Sequence, residues 1–267
     1  MMGRLAVVGL GPGGDATRTA EVVARLAAAT DLVGYGPYLD QVGPAQYGQT
    51  RHDSANRREV DRAQFALDLA ADGRDVVVVS SGDPGVFAMA TVIVEQLHHD
   101  AAGGRWKGVE VSVLPGVTAA SAAAARVGAP LGHDFCVISL SDVLKPWSVV
   151  EQRLDAAAGA DFVLALYNPQ SRHRRWQLAR ALEVVSRHRA PGTPVVLARN
   201  VGRGGEQVEI VRLAELDPDR VDMRTALIIG SSRTTAFTDA AGQPWVFTPR
   251  DYPDELSAET SASESTS

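Results

Sequence analysis

Residues 76–90, VVVVSSGDPGVFAMA, decide how this chain folds. Four consecutive valines, Val76 to Val79, suit a strand buried on both faces, as in a parallel sheet covered by helices. Ser80, Ser81, Gly82, Asp83, Pro84 and Gly85 break the apolar run, and Val86, Ala90, Ile93 and Leu97 then recur at helical spacing. The stretch therefore predicts a strand, a tight turn and a helix that begins at about Val86. In open α/β sheets the carboxyl end of such a strand is where ligands bind; an ordinary β–α connection is the plain alternative.

Working outward, residues 5–8 read as a strand, followed by GLGPGG and a helix over 17–29. Gly9, Gly11 and Gly14 satisfy G-x-G-x-x-G, which invites a dinucleotide reading. Pro12 stiffens that loop, however, and the acidic residue at the right distance, Asp31, precedes the next strand (32–35) instead of ending it. Residues 36–58 read as a long basic loop, 57–71 as a helix, 109–114 as a strand ending in PGVT, and 119–127 as an alanine-rich helix. The second half alternates again, with strands at 135–140, 162–167, 194–198, 206–212 and 226–229 and helices at 147–158 and 172–188. Little helix separates the last strands, which predicts antiparallel pairing there. The expected architecture is two α/β domains with mostly parallel sheets, 1–117 and 118–247. A tail, 248–267, becomes rich in Ser, Ala, Glu and Thr and reads as disordered.

Composition excludes several classes. With 267 residues, 45% hydrophobic and 22% charged, the chain reads as globular. Its net charge of −6 argues against a nucleic-acid binder. No apolar run approaches the roughly 20 residues that span a bilayer, and the first residues lack a signal peptide's apolar core, so no membrane partner and a cytoplasmic location are expected. The lone Cys136 reads as a core side chain, and the histidines show no zinc spacing, so no protein-held metal is expected.

Taken together, GLGPG (9–13), SSGDPGVF (80–87), PGVTAASAAAA (115–125), LYNP (166–169) and ARNVGR (198–203) resemble the tetrapyrrole methyltransferase family, S-adenosylmethionine enzymes of corrin and porphyrin biosynthesis. The resemblance runs over residues 3–232. Stretches 133–154, 165–182 and 194–203 are most similar to the branch that methylates C17 of precorrin-3B and contracts the macrocycle on the route to cobalamin. It implies a tetrapyrrole methylase fold with the active site in a cleft between the two domains, S-adenosyl-L-methionine as cofactor, and a homodimer. By motif, Pro12, Ser81, Gly82, Asp83, Val86, Thr118 and Ala119 fall at cofactor-contacting positions, as do Asn168 and Ala226. Many relatives carry Met where Asn168 stands. The glycine-rich loop, with Gly11 and Gly13, falls near substrate. Three alternatives remain: a sister enzyme acting at another ring carbon or on cobalt-precorrin-3, an NAD-dependent oxidoreductase, and a tetrapyrrole carrier.

Methyl transfer from a sulfonium to a nucleophilic ring carbon depends on alignment, so no nucleophilic triad is required. Asp83 fits cofactor binding, or orientation of its loop by capping the next helix. Ring contraction calls for a general acid or base, for which Asp142, Lys145 and His133 are candidates. The competing reading has Ser141 or Asp142 capping the helix at 147 and Lys145 solvated. A polycarboxylate substrate needs cations, and Arg51, Arg57, Arg58, Arg172, Arg174, Arg175, Arg199 and Arg203 sit next to the motifs.

Overall fold

A computed structural model describes residues 3–171 and 174–251. The chain divides into two compact units, one running to Ala122 and including Arg199–Gln207, the other comprising Ala123–Ala198 and the chain from Val208 on. Three of the expectations above fall partly or wholly outside the described residues: Arg172, the start of the helix expected at 172–188, and the tail beyond 251.

The first unit contains β1 (Arg4–Gly9), α1 (Ala20–Ala28), β2 (Asp31–Tyr35), α2 (Gly36–Val42), β3 (Thr50–Ser54), α3 (Glu59–Ala71), β4 (Asp75–Ser80), α4 (Met89–Asp100) and β5 (Glu110–Leu114). Its sheet has the order β3-β2-β4-β1-β5 and is parallel throughout. The valines of β4 are no more than 1% exposed, because the strand is central and both of its faces are covered. Val76 and Val78 pack with Leu5, Val7 and Leu67 on one face; Val77 and Val79 pack with Val8, Val22 and Leu39 on the other. Each such side chain contributes about 1.5–3 kcal/mol on leaving water.

At the amino ends of the strands, Asp31 is 1% exposed and accepts two hydrogen bonds from Arg74, at 2.7 and 3.0 Å, and one contact from His52 at 2.8 Å. Burial alone would raise its pKa, but the hydrogen bonds from Arg74, His52 and Thr30 outweigh it and hold the carboxyl below the ordinary value. Asp31 is thus a structural anchor at the edge opposite the loops that follow the strands.

The second unit contains most of α5 (Ala119–Val127), β6 (Gly128–Ala129), β7 (Phe135–Ser139), α6 (Trp147–Gly159), β8 (Val163–Tyr167), α7 (Trp176–Val185), β9 (Pro194–Arg199), β10 (Gln207–Arg212), β11 (Thr225–Ile229), β12 (Thr235–Thr238) and β13 (Pro244–Phe247). Its main sheet has the order β10-β9-β11-β8-β7, with β7 parallel and β11 antiparallel to β8. Leu154, Leu164, Leu166, Leu178 and Leu227 lie in its core. A small sheet, β12-β13-β6, completes it.

Several boundaries differ from the expectations. The helix after the central strand starts at Met89, because Phe87 takes a left-handed φ of 54° and Ala88 is extended. The long loop predicted for 36–58 holds α2 and β3. Pro37 suits the first turn of a helix, and TRHDS is a polar edge strand that gives no apolar signal. Strands β12 and β13 are four residues each and mostly exposed, so they too lack a burial pattern.

Candidate active site

In the first unit the loops after β4, β1 and β5, three adjacent strands of a parallel sheet, necessarily meet at one edge. Gly11 and Gly82 exchange backbone hydrogen bonds of 3.1 and 2.8 Å. Glycines let the backbones approach: a Cβ on Gly9 would lie 2.6 Å from both Gly116 N and Gly82 O. Asp83 ties two of the loops together, its Oδ1 accepting from Gly85 N at 2.8 Å and its Oδ2 from Gly116 N at 3.1 Å. It therefore orients its own loop against PGVT and does not cap α4, whose N-cap is Ala88. Thr118 and Ala119 continue that second loop into α5, and Val86 is half-buried beyond the Asp83 turn.

Residues 199–207 complete this cluster. Arg203 donates from Nε to the Pro12 carbonyl and from Nη2 to Ser81 Oγ at 2.7 Å. A Cβ on Gly13 would lie 2.4 Å from Arg203 Cγ and 2.6 Å from Gly202 O, so Gly13 packs closely against both the backbone and the Arg203 side chain of the NVGRG loop. Burial raises the pKa of Tyr38 nearby, opposed by the charge of Arg203. This is not a dinucleotide loop. β4 separates β1 from β2, and only a single 3-10 turn, Asp15–Thr17, follows Gly14 before α1 begins at Ala20, so the glycines do not open directly into an α-helix.

In the second unit, Leu227 pairs with Leu166 in antiparallel register, which brings Ala226 to the carboxyl end of β8, beside Tyr167 and Asn168. Asn168 has φ 53° and donates from Nδ2 to Ser139 Oγ at 2.9 Å. Asp142 accepts from Gln177 Nε2 at 3.0 Å, and the N-cap of α6 is Pro146 with no side-chain cap, so neither Ser141 nor Asp142 caps that helix. Lys145 is half-buried; desolvation, reinforced by the Arg153 charge, lowers its pKa. His133 lies before the amino end of β7, whereas Asp142 and Lys145 follow its carboxyl end; five strand residues separate them, about 17 Å. The fold does not gather these three groups. Cys136 lies in β7, and burial pushes its thiol pKa up, which suits a packing role.

The arginines divide by environment. Arg51 donates to the Gly43 carbonyl at 2.7 Å and pairs with Asp40 at 3.2 Å, closing α2. Arg174 is 9% exposed and donates to the carbonyls of Leu140 and Asn168, both at 3.2 Å, so its guanidinium braces two chain turns. Arg57 is exposed just beyond β3, and Arg199 is the last residue of β9. Sequence reasoning missed Tyr38 and Arg62, since neither falls in a quoted motif.

The tetrapyrrole (corrin/porphyrin) methylase model matches residues 4–217, and the chain belongs to that family. It is 50% identical over 253 residues to a precorrin-3B C(17)-methyltransferase of Sinorhizobium sp., covering 94% of this chain and 98% of that protein. It is 53% identical over 258 residues to cobalamin biosynthesis protein CobIJ of Mycobacterium tuberculosis, covering 95% of this chain and 49% of the relative, so it spans about half of that protein's length. A crystal structure of the methyltransferase CobJ superposes with a TM-score of 0.86 at 48% identity, covering 92% of this chain and all of that one. Among the described residues no helix is long and apolar enough to cross a membrane, and no group of three metal-ligating side chains is present.

Proposed function

We propose that this chain is an S-adenosyl-L-methionine-dependent C17-methyltransferase that methylates precorrin-3B with ring contraction to give precorrin-4 in cobalamin biosynthesis. Residues 1–117 and 118–247 would be its two domains, and its active form a homodimer. The observation that carries the reading is the convergence of three glycine-built loops, packed backbone to backbone after β1, β4 and β5 and held in register by Asp83. Loops fixed in this way suit the positioning of a bent sulfonium nucleoside, with Pro12, Ser81, Gly82, Asp83, Val86, Thr118 and Ala119 as its candidate contacts in the first unit; Asn168 and Ala226, of the second unit, are candidate contacts by family resemblance. The cofactor supplies the methyl group as an electrophile. The chain's own residues fix the alignment of donor and acceptor, the larger part of what such a transfer needs. Of the candidates we favour Lys145, whose pKa is lowered by burial, to move a proton during contraction.

Calorimetric titration with S-adenosylhomocysteine, with NAD in parallel, tests the reading. Micromolar binding of the sulfur nucleoside alone is expected, followed by methylation of precorrin-3B; binding of NAD alone would overturn it.

A further inference from the structure

A cavity of about 580 Å³ opens around β3 in the first unit. Most ionic groups on its wall already have partners: Arg51 has Asp40, His52 has Asp31, and Arg58 has Asp61. Arg62, on α3, is different. It is 5% exposed and donates from Nε to Ser54 Oγ at 2.7 Å, from Nη2 to the Ala55 carbonyl at 2.8 Å and from Nη1 to Met89 Sδ at 3.5 Å, all neutral acceptors. No carboxylate among the described residues lies within ion-pair distance of it. The remaining acid on the wall, Asp53, sits on the opposite face of β3 from Ser54, towards Gly36 at the start of α2. Burial lowers the Arg62 pKa against the raising influence of Glu59 and Tyr38, as expected for a guanidinium that lacks a counter-ion.

A guanidinium has five N–H groups, and three are engaged here, leaving one on each terminal nitrogen, the pair that a bidentate carboxylate takes up. The position also fits. Ser54 ends β3 and Met89 opens the helix after the Asp83 loop, so Arg62 lies at the carboxyl edge of the sheet. Tyr38 feels the charge of both Arg62 and Arg203, and Arg203 holds Ser81.

We propose that Arg62, through the cavity around β3, receives one carboxylate arm of the macrocyclic substrate, an assignment that rests on the function proposed above. Wild type, Arg62→Met and Arg62→Lys are titrated with S-adenosylhomocysteine by calorimetry and with uroporphyrin III, a stable octacarboxylate macrocycle, by quenching of tryptophan emission. Arg62→Met is expected to melt within a few degrees of wild type, since removing a buried cation without a counter-ion offsets the hydrogen bonds lost by Ser54 Oγ and the Ala55 carbonyl, which lie where water can replace the donor. It should keep its nucleoside affinity and bind the porphyrin about 30-fold more weakly, the loss that follows removal of one partner of a buried charge pair. Arg62→Lys should recover part of that loss. Porphyrin affinity that is absent in wild type or unchanged in Arg62→Met overturns the proposal. So does a Met variant that melts well below wild type and loses both ligands, because Arg62 is then a structural strut. Glutarate distinguishes the source of the carboxylate: a rise in melting temperature that requires Arg62, with porphyrin affinity indifferent to it, would assign the cavity to a free dicarboxylate and overturn the substrate arm. Failure of wild type to bind S-adenosylhomocysteine refutes the methyltransferase reading itself, and that result is read from a separate titration.

Discussion

The two main sheets bring loops together by opposite means. In the first unit all strands run parallel, so the loops after β1, β4 and β5 share one edge and meet backbone to backbone through Gly9, Gly11, Gly82 and Gly116. In the second, β11 runs against β8, so the carboxyl end of one strand meets the amino end of the other, and side chains organise the junction: Asn168 on Ser139, and Arg174 on two carbonyls. The first arrangement should therefore be intolerant of added atoms, the second of removed ones.

The largest effect is expected from an added methyl. A Cβ on Gly116 would lie 2.8 Å from Gly9 Cα, closer than packed carbons come, and the atoms in the way belong to the backbone. Gly116→Ala should cost about 3 kcal/mol, roughly 10 °C in melting temperature for a protein of this size, and abolish nucleoside binding. A variant that melts and binds like wild type would show that the loops are not packed by backbone contact.

In the second unit the corresponding experiment removes atoms. Arg174→Ala leaves the carbonyls of Leu140 and Asn168 without their donor and should cost about 2 kcal/mol in a denaturant titration. If stability holds and only macrocycle affinity falls, Arg174 contacts ligand, as its neighbourhood in the sequence suggests, and the contrast between the units fails.

Legibility in the sequence followed the same contrast. The four valines and the SGDPG turn were readable because burial on both faces and a glycine-rich turn leave unambiguous patterns. The polar edge strand at 50–54 and the short strands β12 and β13 were not, since their pairing depends on neighbours distant in the chain. Among the candidate site residues, those in the turns after β1, β4 and β5 lie on adjacent loops of the first unit, whereas Asn168 and Ala226 belong to the second. Side chains chosen for their charge did not behave alike: Arg51 closes a helix, Arg174 is buried, and His133 lies at the opposite end of β7 from Asp142 and Lys145. Charge and position in sequence cannot tell a cation that faces ligand from one that braces carbonyls. Arg62 illustrates the converse, since a buried helix position conceals its cation from any motif.

The smallest effect, and the one that bears most directly on how the first unit works, is expected at Asp83. Its two oxygens accept from Gly85 N at 2.8 Å and Gly116 N at 3.1 Å, so Asp83→Asn keeps one acceptor and must lose or weaken the other. Both contacts lie in loops near the surface, which limits the stability cost to about 1 kcal/mol. If Asp83 holds the SGDPG and PGVT loops in register for the cofactor, S-adenosylhomocysteine affinity should fall about tenfold, the equivalent of roughly 1.4 kcal/mol, while the melting temperature falls only a few degrees. Equal affinity in the folded variant would mean that the glycine contacts alone set the register and that the carboxylate is dispensable. A loss far above tenfold with the fold intact would mean that Asp83 contacts the nucleoside itself, which would add a side chain to a site otherwise built from backbone.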